Sequence, residues 1–130
     1  MGGGVGTSVR RMEDGPLLRG RGRFVDDRRP ARLLHLAFVR SPYAAARILA
    51  VDTAAARSLP GVAAVLTGAD VAGLVEPWKG LLGHYQGMKS GSQLPLAVDR
   101  ARFAGEPVVA VAAASRSLAE DACDLVEVEW

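Results

Sequence analysis

The sequence predicts an α+β fold in which short helices pack on a sheet, preceded by an irregular N-terminal arm. Two continuous apolar runs, Leu33–Val39 and Val108–Ala114, have the length of buried strands and adjoin turn-forming residues. Towards the end of the chain, Ser117-Leu118-Ala119-Glu120 has the spacing of a helix-capping box. Other short apolar runs alternate with similar caps, which indicates strands and short helices around one core.

The length and the charge distribution predict one domain behind a basic arm. A chain of 130 residues suits a single domain. Residues 1–32 contain eight Arg and four acidic residues, whereas residues 33–130 contain eight basic and ten acidic residues. We expect residues 1–9 to be mobile and the rest of the arm to lie irregularly against another surface. The folded domain is expected over residues 33–130, with a core of small Ala and Val side chains.

The strands are predicted from apolar runs and their boundaries. Leu33–Val39 is predicted to be buried on both faces, and Val108–Ala114 to be the central strand. Leu96–Val98 and Ala101–Phe103 are expected to pair as a hairpin across Asp99-Arg100. Further strands are predicted at Ala46–Val51, Val62–Leu66 and Val126–Trp130.

Three caps predict three short helices. Thr53 precedes an Ala-rich segment, and Thr67-Gly68-Ala69-Asp70 resembles a capping box with Asp in place of Glu. The box at Ser117 opens the last helix. Its predicted apolar face is formed by Leu118, Ala122, Leu125 and Val126. Residues 74–95 show no periodicity and are expected to form a long loop.

Cysteine content and hydropathy narrow the class of protein. Cys123 is the single cysteine, which excludes an internal disulfide and suits a reducing compartment. No apolar run has the length of a membrane-spanning helix. The start of the chain lacks the basic and apolar regions of a secretory signal peptide. We therefore expect a cytoplasmic protein with no membrane partner.

Motifs for phosphate and nucleic-acid binding are incomplete. Gly2–Gly6 follows no strand and lacks the Gly-Lys-Ser/Thr of a phosphate-binding loop. The Arg/Gly tract, Arg19–Phe24, resembles an RNA-binding segment but occurs only once. The favoured interpretation is that its arginines pair with Asp26 and Asp27 or with a partner subunit. No nucleic-acid partner is predicted.

The histidines and the cysteine do not form a metal-binding pattern. His35 lies in a predicted strand, His84 in the long loop and Cys123 on the last helix, whereas zinc sites need clustered ligands. We predict no metal site and no catalytic residue in the chain. His35 is interpreted as a core or interface histidine, and Cys123 as a small apolar side chain.

Ser41 and Glu106 are the two side chains whose chemistry invites a functional interpretation. Ser41 lacks a Gly-x-Ser-x-Gly context, so it is predicted to satisfy backbone groups at the end of a strand. Glu106 lies in a Gly-Glu-Pro turn, where a partly buried carboxylate could act as a base. The favoured alternative is that Glu106 accepts backbone N–H bonds or pairs with Arg40 or Arg102. One carboxylate without a partner, pocket or metal is weak evidence for catalysis.

Two phrases far apart in the chain carry a family resemblance. They are Leu34–Ile48, LHLAFVRSPYAAARI, and Arg102–Val111, RFAGEPVVAV. With the arm and the phrases between them, they resemble the N-terminal α/β hammerhead domain of molybdenum hydroxylases, the family of xanthine dehydrogenase, aldehyde oxidase and aerobic carbon-monoxide dehydrogenase. Family members often have His where this chain has Ala45, and residues 75–93 match no family pattern. The phrases supply six candidate structural or interface residues: Arg40, Ser41, Tyr43, Phe103, Gly105 and Glu106.

The resemblance implies an α/β hammerhead with a mixed sheet, within the large subunit of an oxidoreductase. The implied reaction is hydroxylation of a carbon centre, or CO oxidation, with oxygen from water. The parent large subunit would bind a molybdenum–pyranopterin cofactor, and iron–sulfur clusters and FAD would lie in partner subunits or domains. No residue of this chain matches the cofactor-binding or catalytic segments of the family. The chain itself is therefore expected to hold no cofactor and to be inactive in isolation.

The resemblance also implies partners. They are the remainder of the large subunit and the iron–sulfur and flavin subunits. Because a predicted strand runs to Trp130, we expect the chain to be cut from a longer one and to self-associate when isolated. Two alternatives stay open: a free-standing interaction module that uses the basic arm, and a nucleic-acid-binding protein. A stop codon after Trp130 would favour the module, and salt-dependent binding to RNA or DNA would favour the latter.

Overall fold

The computed structural model of the protein describes residues 5, 6, 8, 11–80 and 84–130. They belong to two compact units, Met1–Leu33 and Leu34–Trp130. In the first unit, helix α1 spans Asp14–Leu18 and a 3-10 helix spans Val25–Asp27. Neither helix contains a buried residue. The Gly-rich start that the sequence predicts to be mobile lies largely outside the described residues.

The arginines of the Arg/Gly tract do not form ion pairs with Asp26 or Asp27 in the described residues, whereas Arg11 pairs with Asp14 at 3.3 Å. The Asp27 carboxylate accepts a hydrogen bond from the Phe24 N–H at 2.9 Å. Arg29 donates to the backbone oxygen of Asp26 at 2.7 Å rather than to its carboxylate. In the described part of the arm, no ion pair joins the Arg/Gly tract to either aspartate. That half of the prediction is wrong, and pairing of the tract with a partner subunit stays a prediction.

The second unit is built on short antiparallel strand pairs. Its described strands are β1 (His35–Arg40), β2 (Ala46–Arg47), β3 (Ala50–Asp52), β4 (Val62–Thr67), β5 (Arg100–Ala101), β6 (Pro107–Ala113) and β7 (Glu127–Glu129). Its described helices are α2 (Ala54–Ser58), α3 (Gly68–Ala72) and α4 (Arg116–Asp124). The strands form one three-stranded sheet in the order β1-β6-β4 and two pairs, β2-β5 and β3-β7. The predicted combination of sheets with short helices is confirmed.

Strand β6 is the centre of the second unit, as its continuous apolar sequence predicts. It pairs with β1 on one side and with β4 on the other. Val109 lies opposite Val39 of β1, and Val111 lies opposite Val65 of β4. Val109 and Val111 are fully buried. The central cluster of buried residues consists of the small side chains that the composition predicts, and Leu96 is a larger buried side chain outside it. The members of the cluster are Ala56, Val65, Ala97, Val108, Val109, Val111 and Ala122.

Strand β1 is not buried on both faces, contrary to prediction. Its residues alternate between half-buried and exposed, with Leu36 and Phe38 on the exposed face. The apolar run suggests two-sided burial because it contains no polar residue after His35 until Arg40. The strand lies at the edge of the three-stranded sheet, and within the second unit α4 packs against β1 and β6. One apolar face of this sheet is therefore left uncovered in the described residues.

Two other strand predictions are corrected by long-range pairing. The predicted strand Ala46–Val51 is divided, because β2 pairs with β5 whereas β3 pairs with β7. The predicted hairpin of Leu96–Val98 with Ala101–Phe103 does not form. Arg100–Ala101 pair with β2 instead, and the Ala97 N–H donates to the Pro107 oxygen at 2.8 Å. Partners distant in sequence thus replace the local turn.

The N-cap of helix α4 lies two residues before the predicted cap. Ser115, not Ser117, is the N-cap, and its hydroxyl oxygen accepts a hydrogen bond from the Leu118 N–H at 3.2 Å. Ala119 and Ala122 are the buried residues of the helix, whereas Leu125 is exposed. The predicted apolar face is therefore rotated toward Ala119. The smaller alanines lie close to the sheet and let α4 approach β6.

The predicted long loop contains one irregular pairing. Within residues 74–80 and 84–95, Trp78 and Gln93 exchange two backbone hydrogen bonds at 2.9 Å.

Across the part of the chain that the structure describes, no helix is long and apolar enough to span a membrane.

The cap of α3 forms as the sequence predicts. The Thr67 hydroxyl oxygen accepts from the Asp70 N–H, and the Asp70 carboxylate accepts from the Thr67 N–H at 2.8 Å. The Thr67 hydroxyl donates to the same carboxylate at 2.8 Å, and the Arg57 guanidinium lies 3.6 Å from it. The backbone hydrogen bond from Thr67, its hydroxyl and the charge of Arg57 together lower the pKa of Asp70.

The lowered pKa of Asp70 predicts a contribution to acid stability. Because the carboxylate is favoured in the folded state, the stabilisation is present above its ordinary pKa of 3.8 and lost as the pH falls through the folded value. We expect the free energy of unfolding of Asp70→Asn, measured by urea denaturation, to change less with pH than that of the parent between about pH 5 and pH 2. Asp121→Asn is the control, since Asp121 makes no side-chain hydrogen bond or ion pair among the described residues. Equal pH slopes in both variants would contradict the role of Asp70.

Candidate structural and interface site

The turn after β1 and the turn before β6 lie against each other and bring candidate residues together. The Ser41 N–H donates to the Glu106 backbone oxygen at 2.9 Å, and the Ser41 carbonyl accepts from the Gly105 N–H at 2.8 Å. Arg40 Nη1 donates to the Gly105 backbone oxygen at 2.9 Å, across 65 residues of sequence. We call Arg40, Ser41, Gly105 and Glu106 the Ser41–Glu106 junction. It continues the β1–β6 ladder beyond the strand ends.

Ser41 is buried, and its side chain closes a local turn. The Ser41 hydroxyl oxygen accepts from the Tyr43 N–H at 3.1 Å, and the hydroxyl donates to the Tyr43 carbonyl oxygen at 2.9 Å. Both hydroxyl functions are therefore used by the backbone of one residue. This arrangement satisfies backbone groups where β1 ends, and it leaves the hydroxyl without a base to activate it.

Gly105 is required by the geometry of the turn before β6. The Glu106 N–H donates to the Phe103 carbonyl oxygen at 3.2 Å, which closes a four-residue turn. Gly105 occupies the third position with φ of 86°, the left-handed region that glycine adopts without steric cost. The conformation directs the Gly105 N–H and carbonyl toward Ser41 and Arg40. The sequence signal for this role is the Gly-Glu-Pro turn itself.

Glu106 is a buried carboxylate that is held by its neighbours. Only 5% of the residue is exposed. Its Oε2 accepts a hydrogen bond from the Arg102 N–H, and its Oε1 lies 3.8 Å from the Arg102 guanidinium. The same guanidinium lies 3.5 Å from the Asp99 carboxylate. Of the two arginines proposed as partners of Glu106, the structure selects Arg102, whereas Arg40 bonds to backbone.

This geometry predicts that Glu106 stabilises the fold through the side-chain oxygen that accepts the Arg102 N–H. Glu106→Gln keeps an oxygen for the Arg102 N–H, so we expect its free energy of unfolding to stay near that of the parent. Glu106→Ala leaves that N–H without its acceptor and should cost about 2 kcal/mol in urea denaturation. A loss of stability in Glu106→Gln as large as that in Glu106→Ala would contradict this role, because the amide still offers an oxygen to the Arg102 N–H.

Tyr43 and Phe103 border the junction and remain about half exposed. The rings of Tyr43 and Trp130 meet edge to face, with centroids 5.5 Å apart and an interplanar angle of 73°. Phe103 contributes its carbonyl to the turn, while its ring is exposed. The Arg40 guanidinium lies 5.3 Å from the centroid of the Phe38 ring, a cation–π distance. Exposed aromatic rings beside a rigid turn are typical of contact surfaces. Their use as an interface stays a prediction.

The titratable residues outside the junction do not converge on one point. No group of three His, Cys, Asp or Glu side chains that could hold a metal occurs in the described residues. His35 lies half-buried on β1, and His84 lies 4.3 Å, ring to ring, from Tyr85. Cys123 packs against the core, where burial, with the nearby charges of Asp124 and Glu120, raises the pKa of its thiol. A thiol held in the neutral form is a poor nucleophile.

The arm presents the main concentration of positive charge. Four arginines line an open concave surface within the first unit: Arg21, Arg23, Arg28 and Arg29. Asp27 also lines this surface, and its carboxylate accepts a hydrogen bond from the Phe24 N–H. Arginines can bind an acidic group of a protein partner, and the pairing of the Arg/Gly tract with a partner subunit stays a prediction.

One structural residue, Gly68, is not predicted by the sequence pattern. Gly68 follows the cap residue of α3, and its Cα faces the backbone of Ala97 and Val98. A Cβ at Gly68 would overlap the carbonyl oxygen of Ala97 and lie 2.7 Å from its carbonyl carbon. The capping box is visible in the sequence, but a glycine at its second position gives no signal that another segment passes close by.

Comparison with known proteins places this geometry in a family. Residues 19–130 match the family model described as aldehyde oxidase and xanthine dehydrogenase, a/b hammerhead domain. The chain is 45% identical over 127 residues to the nicotine 6-hydroxylase large subunit of Paenarthrobacter nicotinovorans, covering 96% of this chain and 15% of that protein. It is 41% identical over 128 residues to the carbon monoxide dehydrogenase large chain of Afipia carboxidovorans, covering 98% of this chain and 15% of that protein.

The fold agrees with solved structures of the same kind. Quinoline 2-oxidoreductase from Pseudomonas putida 86 matches with a TM-score of 0.90 and 46% identity, covering 96% of this chain and 16% of that one. Reconstituted CO dehydrogenase from Oligotropha carboxidovorans matches with a TM-score of 0.83 and 39% identity, covering 97% and 15%. This chain thus spans about 15% of the length of the relatives it matches. The predicted resemblance is confirmed: the chain belongs to the family of the aldehyde oxidase and xanthine dehydrogenase a/b hammerhead domain.

Proposed function

We propose that this chain is a structural and assembly domain in the large subunit of a molybdenum hydroxylase. The observation that carries the proposal is the Ser41–Glu106 junction, in which the serine hydroxyl and the buried carboxylate bond to protein groups. Every buried side-chain nitrogen or oxygen atom within the described residues has a hydrogen-bond partner. A site whose polar groups are all used in this way stabilises a fold and holds no group ready for a substrate.

The proposed parent reaction is an oxidation that inserts oxygen from water. It is either hydroxylation of a carbon centre or oxidation of CO, and the relatives named nicotine 6-hydroxylase and carbon monoxide dehydrogenase support this class. Among the described residues, every buried side-chain nitrogen or oxygen atom already has a hydrogen-bond partner, and the chain spans only about 15% of these relatives' length. We therefore place the molybdenum–pyranopterin cofactor in the rest of the large subunit. Iron–sulfur and flavin subunits and a cytoplasmic location complete the proposal.

The proposal predicts where molybdenum is found. Residues 1–130 expressed alone should contain no molybdenum by elemental analysis and should reduce no dye with aldehydes, purines or CO. The full complex should contain molybdenum. A large subunit that lacks residues 1–130 should fail to assemble with the iron–sulfur and flavin subunits in size-exclusion chromatography. Stoichiometric molybdenum on residues 1–130, or normal assembly and turnover without them, would overturn the proposal.

A further inference from the structure

The face of the three-stranded sheet opposite Val109 and Val111 is apolar, and its larger side chains are exposed. Ala110 lies opposite Phe38 of β1 and Leu66 of β4, and Ala112 lies opposite Leu36 and Ala64. Phe38, Leu66 and Leu36 are 37%, 43% and 58% exposed. Since side chains alternate along a strand, these residues share one face. We call Leu36, Phe38, Ala64, Leu66, Ala110 and Ala112 the outer sheet face.

The outer sheet face has the shape of a shallow trough. The alanines of β6 form its floor, and the larger side chains of β1 and β4 form its walls. Walls on strands two positions apart are separated by about 10 Å, which is close to the diameter of an α-helix. A ridge of large apolar side chains on a partner, such as one side of a helix, therefore fits the trough.

The charge of the outer sheet face indicates a permanent partner. None of its six residues is charged. The nearest cation on this side of β1, Arg40, already lies over the Phe38 ring and donates to the Gly105 oxygen. Permanent interfaces are more apolar than exchangeable ones and resemble a domain core cut in half. An exchangeable partner would be expected to meet more polar groups than this face offers.

We infer that the outer sheet face is covered by a segment of the same large-subunit polypeptide that lies outside residues 1–130. The inference rests on the proposed function. The chain spans about 15% of its relatives' length, so most of a large subunit of that size is available as a covalently attached partner. Covalent attachment gives that segment an effective concentration in the range of about millimolar, which a separate subunit does not have. The arm's arginines suit a charged partner, whereas the outer sheet face offers no charged residue to one.

The test uses the full-length large subunit in its complex. Phe38 is replaced by p-benzoylphenylalanine, a photoreactive analogue that preserves the aromatic ring, and the irradiated complex is digested and analysed by mass spectrometry. Leu36, on the same face, is the second position in case the Phe38 variant does not assemble. Leu74, which is 80% exposed and outside the face, sets the background of cross-linking.

We expect cross-links from Phe38 or Leu36 to peptides of the same large subunit outside residues 1–130, above the Leu74 background. Cross-links only to the iron–sulfur or flavin subunit, or to a second large subunit, would overturn the inference. A yield no higher than at Leu74 would also overturn it, because the face would then be open to solvent. The failure is distinguishable from failure of the proposed function, since a complex that contains molybdenum and turns over leaves that proposal intact.

Discussion

Gly68→Ala is expected to destabilise the domain strongly, although alanine is the better helix former. In α3 the exchange should gain up to about 1 kcal/mol from helix propensity. The added Cβ, however, would overlap the Ala97 carbonyl oxygen and lie 2.9 Å from the Val98 Cα. These are backbone atoms, and Ala97 is fixed by its hydrogen bond to Pro107. Overpacking of this kind costs roughly 3 kcal/mol, so the net effect should be a loss of about 2 kcal/mol or more.

The matched control for Gly68 lies at the other end of the same helix. Gly73 is the C-cap residue and has φ of −88°, and a Cβ added to it would meet no other segment within 4 Å. We expect Gly73→Ala to be neutral or slightly stabilising, because it only reduces the freedom of the unfolded chain. Thermal unfolding by circular dichroism compares the two variants, with a decrease in Tm on the order of 10 °C for Gly68→Ala. Equal Tm values would show that the close approach to Ala97 does not constrain the fold.

Continuous apolar sequence predicts the centre of the fold well. Strand β6 has no charged residue, and its neighbours in the sheet come from distant parts of the chain. Its central position could be predicted because two-sided burial selects for such a run. The run at β1 looks similar but lies at an edge, where a second apolar face is exposed. Sequence alone does not distinguish the two cases, because the same apolar run occurs in a strand buried on both faces and in one with an exposed apolar face.

Short strands are harder to predict because their partners are distant. Two-residue strands such as Ala46–Arg47 carry almost no periodic signal, and their position is fixed by pairing with Arg100–Ala101. Likewise, β3 is fixed by its pairing with β7. A local hairpin is the natural prediction when only nearby residues are considered. Pairing distant strands costs conformational entropy because long loops must close. Burial in the shared core offsets this cost, and a short stretch of sequence gives no sign of that burial.

The residues of the candidate site could be predicted from the sequence, whereas their hydrogen-bond and ion-pair partners could not. The family resemblance singles out Ser41 and Glu106, and the structure places them in one hydrogen-bonded junction. The choice of Arg102 over Arg40 as the partner of the carboxylate depends on the left-handed turn at Gly105. Arg40 and Arg102 carry the same charge, so charge alone does not show which of them pairs with Glu106. The direction of the backbone determines which guanidinium reaches the carboxylate.

Val109→Asp and Val111→Asp are expected to abolish folding. Both valines are fully buried on the core side of β6, and the side chains around them are apolar. A carboxylate at either position would lose its hydration and find no cation in the core. An unpaired buried charge costs several kcal/mol, which is comparable with the whole stability of a domain, about 5–15 kcal/mol. We expect neither variant to show a cooperative urea transition at neutral pH by circular dichroism.

Val109→Ala and Val111→Ala separate the effect of charge from that of lost packing. Each removes two methyl groups without introducing a polar atom, so it should cost only about 1–3 kcal/mol and keep a cooperative transition. A large difference between the Ala and Asp variants at each position would therefore measure the burial of charge in the core. If both Asp variants instead melt within a few degrees of the parent, β6 must be open to water on this side. The β1-β6-β4 order, with β6 enclosed between its neighbours and α4, would then be wrong.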